Sequence, residues 1–288
     1  MINTLSPQAL SLLANELRLS ILGMLTEAKS GHPGGSLSTI DILTALWFKE
    51  MRGVDSPDQL KTDRDRFILS KGHAVPALYA ILAKKGFIPE SELKNLRRTG
   101  SPLQGHPDRM RIPMVEASTG SLGQGMSVAQ GMALGLRMNG KQSMIYCMIG
   151  DGEMQEGQIW ECALSAPKFE LSNLVVILDS NGGQIDGPVE KVMPLAPIVD
   201  KWRAFNWNVI EINGHDMNEI VAALGETRRA YESGSKKPVF ILAHTVKGKG
   251  VSFMEGKIEW HGVAPKPDEN LRAQAEIKTA MQALRQTS

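Results

Sequence analysis

Two short turns hold the residue types with the most chemistry. At Gly150-Asp151-Gly152-Glu153 a single aspartate sits between two glycines, directly after the apolar run Met144 to Ile149, and Glu156-Gly157 follows. Glycines let backbone N–H groups come close to an anion while the carboxylate stays available. A carboxylate beside a phosphate repels it unless a cation lies between them, so the pattern calls for Mg²⁺ or Ca²⁺ bridging protein and phosphate oxygens. The next apolar run, Leu174 to Leu178, leads into Asp179-Ser180-Asn181-Gly182-Gly183, which offers a neutral amide oxygen at Asn181. One carboxylate, one amide oxygen, one backbone carbonyl, two diphosphate oxygens and a water would complete an octahedron. Taken singly, Asp151 reads as a turn residue and Asn181 as a loop asparagine; their joint placement at strand ends is what favours a site.

The histidines form a second group. Five of the six lie beside glycine: Gly31-His32, Gly72-His73, Gly105-His106, Gly214-His215 and His261-Gly262. Loop histidines so placed can project into a cleft from several strand ends, bind hydroxyls or phosphate, and pass protons. Their spacing matches no zinc pattern, since HExxH and CxxC pairs are absent. His244 lies on an apolar strand and reads as a core histidine. A third element, Ser118 to Gly125, opens a helix with Ala129, Ala133 and Gly135, where small residues permit close approach of a ligand or another helix. The run Val246-Lys247-Gly248-Lys249-Gly250 reads as a solvated basic turn, and the 15 methionines as fillers of core and interface gaps.

Something must hold these turns in register, and the pattern between them says what. Strand-like runs at Phe67 to Leu69, Met144 to Ile149, Leu174 to Leu178, Val209 to Ile212 and Val239 to Ala243 are almost continuously apolar, as expected of strands buried on both faces. Helical periodicity occupies 8–29, 38–51, 75–85, 121–138, 157–168, 194–205 and 217–232, and an amphipathic helix at about 270–285 reads as a natural end. The alternation predicts an α/β fold, a parallel sheet flanked by helices, in one domain over residues 1–288 with no dividing linker.

Composition removes several classes. The chain has 288 residues, 42% hydrophobic and 22% charged, with 32 basic and 31 acidic residues for a net charge of +1, so it is expected to be globular and neither disordered nor a nucleic-acid binder. Its longest apolar runs fall short of the roughly 20 residues of a membrane span. Cys147 and Cys162 cannot build a disulfide framework, and no secretory signal is apparent, so a cytoplasmic location is expected. There is no GxxxxGK[ST], and Gln155 stands where a dinucleotide fingerprint needs glycine, which disfavours a P-loop NTPase and a nicotinamide oxidoreductase.

In order, the segments Ser30 to Leu37, Leu69 to Ala74, Gly105-His106-Pro107, Ser118 to Gly125, Gly150-Asp151-Gly152 with Glu156-Gly157, Asn181 with Ile185-Asp186-Gly187, and Trp260 to Pro265 resemble transketolase. The likeness is to the amino-terminal, diphosphate-binding half alone. It implies a thiamine-diphosphate fold, with Asp151, Asn181 and the Gly183 carbonyl holding Mg²⁺ (or Ca²⁺ or Mn²⁺) and the Gly152 N–H meeting the diphosphate. It also implies cofactor contacts from His73, Gly120, Ser121, Leu122, Glu153, Asn181, Ile185 and His261, with Leu122 and Ile185 flanking the thiazolium. His73 and His261 would lie close to the diphosphate and reacting centre, His32 and His261 would face the acceptor aldehyde, His106 the terminal hydroxyl of the donor, and Glu156 would be a buried member of a proton network between two active sites. Two positions depart from the pattern: Ser121 replaces a usual proline, and Gly183 a larger apolar residue.

The activity implied is transfer of a two-carbon ketol unit from a ketose phosphate to an aldose, with the thiazolium as electron sink. Because the other half is absent, the resemblance implies one subunit of a split enzyme, completed by a separate carboxy-terminal chain as a heterotetramer in carbohydrate metabolism of the pentose phosphate kind. Neither nucleic acid nor membrane is expected as a partner. The alternatives are a 1-deoxyxylulose-5-phosphate synthase-like subunit, a dihydroxyacetone synthase, and a noncatalytic cofactor-binding or regulatory module.

Overall fold

The structure is a computed structural model that describes residues 5–57 and 63–286. Strands β1 (Arg66–Leu69), β2 (Ile145–Gly150), β3 (Leu174–Ser180), β6 (Asn208–Asn213) and β7 (Val239–His244) form one parallel sheet in the order β1-β2-β3-β7-β6. β4 (Gly183–Gln184) and β5 (Gly187–Pro188) make a small antiparallel hairpin beyond β3, an element too short for any periodicity to announce.

The apolar runs are explained by helices on both faces. Along β2, Tyr146 and Met148 enter one core while Ile145, Cys147 and Ile149 enter the other, the two-residue alternation of a strand. The first core is covered by α1 (Pro7–Ala28), α2 (Pro33–Ala45), α3 (Val75–Lys84), α8 (Met217–Glu232) and α9 (Pro267–Gln286); the second by α4 (Gln124–Met138), α5 (Gly157–Lys168) and α7 (Ile198–Ala204), with the short α6 (Val189–Val192) at its edge. By length and composition α1 could cross a membrane. Here its apolar side, Leu10, Ala14, Leu17, Ile21, Leu22 and Leu25, is buried in the first core.

The predicted elements are present, with instructive shifts. α2 begins at Pro33 rather than 38, because proline is pre-set for the first helical position and carries the turn-like Gly34 and Gly35 into the helix. The stretch predicted helical from 194 becomes regular only at Ile198, since Pro194 and Pro197 precede it. Ser6 and Asp216 cap α1 and α8 with side-chain acceptors.

His244 corrects an expectation. It is the last residue of β7, past the apolar run, and its exposed ring pairs with Glu211 at 2.7 Å instead of entering the core. Because every strand of this sheet runs the same way, the turns after β1, β2, β3 and β7 meet at one edge.

Candidate active site

At that edge lies a cavity of about 430 Å³ whose lining includes Lys71, His73, Leu122, Asp151, Asn181 and Lys247, together with the 150–156 turn, Gly183 to Asp186, Val192 and His261. The turns after β2 and β3 are stitched together by Asp151, whose carboxylate accepts from its neighbour Gly152 N–H at 2.8 Å and from Gly182 N–H at 2.6 Å. The Gly152 N–H, expected to meet a diphosphate, is therefore turned to Asp151. Asn181 presents Oδ1 to Gly183 N–H at 3.1 Å and donates through Nδ2 to Asp179 at 2.8 Å.

The Lys247 ammonium reaches the Gly183 carbonyl at 3.0 Å and Asn181 Oδ1 at 3.4 Å. Two of the three expected metal-binding oxygens thus already face a positive charge. Among the described residues no three His, Cys, Asp or Glu side chains are grouped to hold a metal. One carboxylate with two neutral oxygens, Asn181 Oδ1 and Gly183 O, is a donor set that would suit a hard divalent cation whose remaining ligands were phosphate oxygens and water.

Lys71 and Asp179 are the residues that sequence reasoning missed. Asp179 is fully buried and accepts from Lys71, Asn181, Thr245, Ser38 at 2.7 Å and Thr39 at 3.4 Å. Burial pushes its carboxyl up, but the Lys71 ammonium and these donors prevail and hold it at about 2. Lys247 departs from the solvated turn expected of it: it is 2% exposed, and burial lowers its ammonium to about 8 despite the attraction of Asp179. The available signal was position: Lys71 and Lys247 follow the ends of β1 and β7, and Asp179 lies two residues before Asn181.

Four of the loop histidines do assemble. Ring centroids are 5.2 Å apart for His32 and His73, 5.6 Å for His32 and His261, 5.1 Å for His73 and His261, and 6.5 Å for His32 and His106. Burial first, then neighbouring positive charge, holds His32 and His261 at about 4, lowers His73 well below its usual range and lowers His106. All four rings are therefore neutral near pH 7. His32 Nδ1 and His261 Nδ1 are buried with no hydrogen-bond partner among the described residues, an orphaning that a bound polar molecule would relieve. His215, the fifth glycine-flanked histidine, lies elsewhere.

The remaining candidates divide. Leu122 and Ile185 line the cavity, Ile185 being 70% exposed at its mouth. Gly120 backs His106, where a Cβ would come within 3.1 Å of its ring, and Ser121 is exposed. Glu153 is buried and lines the cavity, and its carboxylate accepts from Ser70 Oγ, Gly123 N–H at 2.9 Å and Gly150 N–H at 3.1 Å, which anchors the turn. Glu156, expected to be buried, is exposed in this chain, where it precedes α5 at the rim.

Comparison with known proteins gives this geometry its setting. Residues 10–282 match the family described as transketolase, thiamine diphosphate binding domain. One subunit of the apulose-4-phosphate transketolase of Phocaeicola vulgatus is 41% identical over 278 residues, covering 96% of each chain. The 6-deoxy-6-sulfo-D-fructose transketolase subunit SqwG of Clostridium sp. is 46% identical over 250 residues, 87% of this chain and 89% of its own. Human transketolase is 42% identical over 258 residues, covering 88% of this chain and 40% of the human protein. Among solved structures, transketolase of Campylobacter jejuni superposes with a TM-score of 0.85 at 33% identity, over 93% of this chain and 42% of that one. The chain thus spans less than half of these longer transketolases and nearly all of the subunit-type relatives.

Proposed function

The chain belongs to the transketolase thiamine diphosphate-binding domain family, and from that premise we propose that it is the diphosphate-binding subunit of a two-chain transketolase. Its reaction is transfer of a two-carbon ketol unit from a ketose phosphate to an aldose acceptor, in sugar metabolism of the pentose phosphate kind. The observation that carries the reading is the meeting of Asp151, Asn181, Gly183 O, Lys71 and Lys247 beside the cluster of imidazoles.

When bound, thiamine diphosphate supplies a thiazolium that accepts the electron pair released as a carbon–carbon bond breaks. Asp151, Asn181 and the Gly183 carbonyl would hold the divalent cation, for which Mg²⁺ is the proposed identity. Lys247 would offset part of the diphosphate charge, while the Lys71 ammonium is met by Asp179. Leu122 and Ile185 would form the apolar walls against the reacting ring and exclude water from it. His32, His73, His106 and His261, kept neutral by burial, can each accept a proton at one ring nitrogen and donate from the other, which suits sugar hydroxyls that must lose and regain protons.

Ile185 and Val192 leave an apolar, uncovered mouth on this chain, and Glu156 lies exposed at its rim. A second chain would cover both, and a two-plus-two heterotetramer is the assembly proposed. The two cysteines are free and buried, which suits a reducing compartment, and the cytoplasm is the location proposed.

The test is native isolation of the chain from its own cells, with co-purifying protein, thiamine diphosphate and metal quantified together and ketol transfer assayed with ketose phosphates. A stoichiometric partner, bound cofactor and activity are expected. Turnover by the isolated chain would overturn the two-chain reading, and an assembled complex without cofactor or activity would overturn the enzymatic one.

A further inference from the structure

Lys247 reaches the cation-binding oxygens only if its backbone is fixed, because four rotatable bonds on a loose loop would spread the ammonium over several ångströms. Its segment is intrinsically loose. Gly248 and Gly250 take φ values of +75° and +92°, and β7 has ended at His244.

The Thr245 N–H donates to the Ser180 carbonyl at 3.1 Å, the Lys247 carbonyl accepts from Gly256 N–H at 2.9 Å and Gly250 N–H donates to Glu255 at 3.0 Å; three further hydrogen bonds tie the segment to His215, α2 and α1. Val246 N–H donates to His215 Nε2 at 2.9 Å, Gly248 N–H donates to the Gly34 carbonyl at 3.0 Å, and the Lys249 carbonyl accepts from Arg18 Nε at 3.1 Å. Since Nε2 accepts, His215 carries its proton on Nδ1, which lies 2.7 Å from Asp41 Oδ2. Asp41 is fork-bonded by the Arg18 guanidinium, and the side chains of Arg18 and Asp41 are only 4% and 9% exposed. Charge on Arg18 thus orients Asp41, Asp41 sets the tautomer of His215, and His215 accepts the amide next to Lys247. The same helix that supplies Asp41 supplies Gly34, where a Cβ would strike Lys247 Cγ at 2.7 Å and the Trp260 carbonyl at 2.9 Å, so the lysine stem lies against the start of α2.

We infer that Arg18, Asp41 and His215 form a buried brace that positions Lys247 for the diphosphate, with His215 a positioning residue that never touches the cofactor. The inference rests on the reading of the site given above, and it accounts for the one glycine-flanked histidine outside the imidazole cluster. A packing role alone would be met by any side chain of similar size; the brace requires an acceptor at the position of Nε2.

The test compares His215→Leu with His215→Gln, which keeps a polar acceptor, in the full chain and in its complex with the partner subunit. In the full chain, hydrogen–deuterium exchange of residues 245–250 is followed against that of β6 and β7. In the complex, the equilibrium affinity for magnesium thiamine diphosphate is measured by calorimetry, alongside kcat at saturating cofactor. For His215→Leu we expect faster exchange confined to 245–250, affinity weakened about 10- to 100-fold as for other groups that orient a ligand's direct contacts, and kcat within about threefold of wild type; His215→Gln should recover most of the affinity.

Unchanged exchange at 245–250, opening of β6 and β7 together with it, or equal loss of affinity in both variants would overturn the brace. If the wild-type complex takes up no magnesium thiamine diphosphate, the functional reading fails, and the exchange comparison still decides whether His215 holds the segment.

Discussion

Replacing Lys247 by methionine should separate stability from cofactor binding. In the chain without cofactor the ammonium is nearly all buried, and its pKa falls from 10.5 to about 8 because desolvation outweighs the attraction of Asp179. At about 1.4 kcal/mol per tenfold change in proton affinity, keeping that lysine charged costs the folded chain about 3 kcal/mol at pH 7. Methionine removes this cost at similar volume, while leaving the Gly183 carbonyl and Asn181 Oδ1 without the lysine donor, a loss of about 1–2 kcal/mol. The net expectation is a chain more stable by about 1–2 kcal/mol at pH 7.

The sign with pH follows. Between pH 8 and 10.5 the unfolded wild-type chain holds a proton that the folded chain has released, so wild-type stability gains from this group as pH rises through that window, and the gain vanishes in Lys247→Met. Binding should move the other way. Loss of a charge-assisted contact to the diphosphate costs about 1.5–3 kcal/mol, or roughly 10- to 150-fold in affinity. Urea unfolding at pH 7 and 9.5, with calorimetric titration by magnesium thiamine diphosphate, measures both. A variant less stable than wild type at pH 7, or one that binds within threefold of it, would refute the reasoning.

Asp179→Asn should destabilise the chain by about 3–5 kcal/mol in denaturant unfolding, because the buried Lys71 ammonium loses its counter-charge. Asp151→Asn keeps an acceptor for the Gly152 or Gly182 N–H, so it should fold with a melting temperature near wild type while metal-dependent cofactor uptake, read by calorimetry, falls below detection. Gly152→Ala would put a Cβ 2.9 Å from Gln184 Cβ, pushing on the hairpin that carries Gly183 and Ile185; about 1–3 kcal/mol of destabilisation with weakened cofactor binding is expected. His32 and His261, held at about 4 when folded, bind protons in the unfolded chain from pH 6.5 downward, so stability should fall as pH drops from 6.5 to 4. The double variant His32→Gln/His261→Gln should flatten that part of the melting-temperature profile.

Much of the architecture is legible in local pattern. The strands are read because burial on both faces demands nearly unbroken apolar runs, and α5 and α8 because their 3.6-residue periodicity is bounded by Gly157 and by the cap Asp216. Asp151 and Asn181 are legible because their turns directly follow such runs, and a parallel sheet gathers strand ends on one edge. Glycine beside histidine also told truly for His32, His73, His106 and His261, whereas His215 shares the dipeptide and not the place.

Burial of charge is what local pattern does not reveal. Lys71 and Asp179 stand 108 positions apart, Lys247 and Asn181 66, and His215 and Asp41 174. A lysine in a glycine-rich turn has one local signature whether water or a carboxylate surrounds its ammonium. The amino-acid sequence alone determined the layers, the strand ends and the placement of Asp151 and Asn181 directly after them, because each depends on spacing within a few residues. Tertiary structure alone decided that Lys247 is buried, that Glu153 spends its oxygens on the turn, and that His215 braces instead of joining the cluster, because desolvation and hydrogen bonding are set by neighbours that only folding brings together.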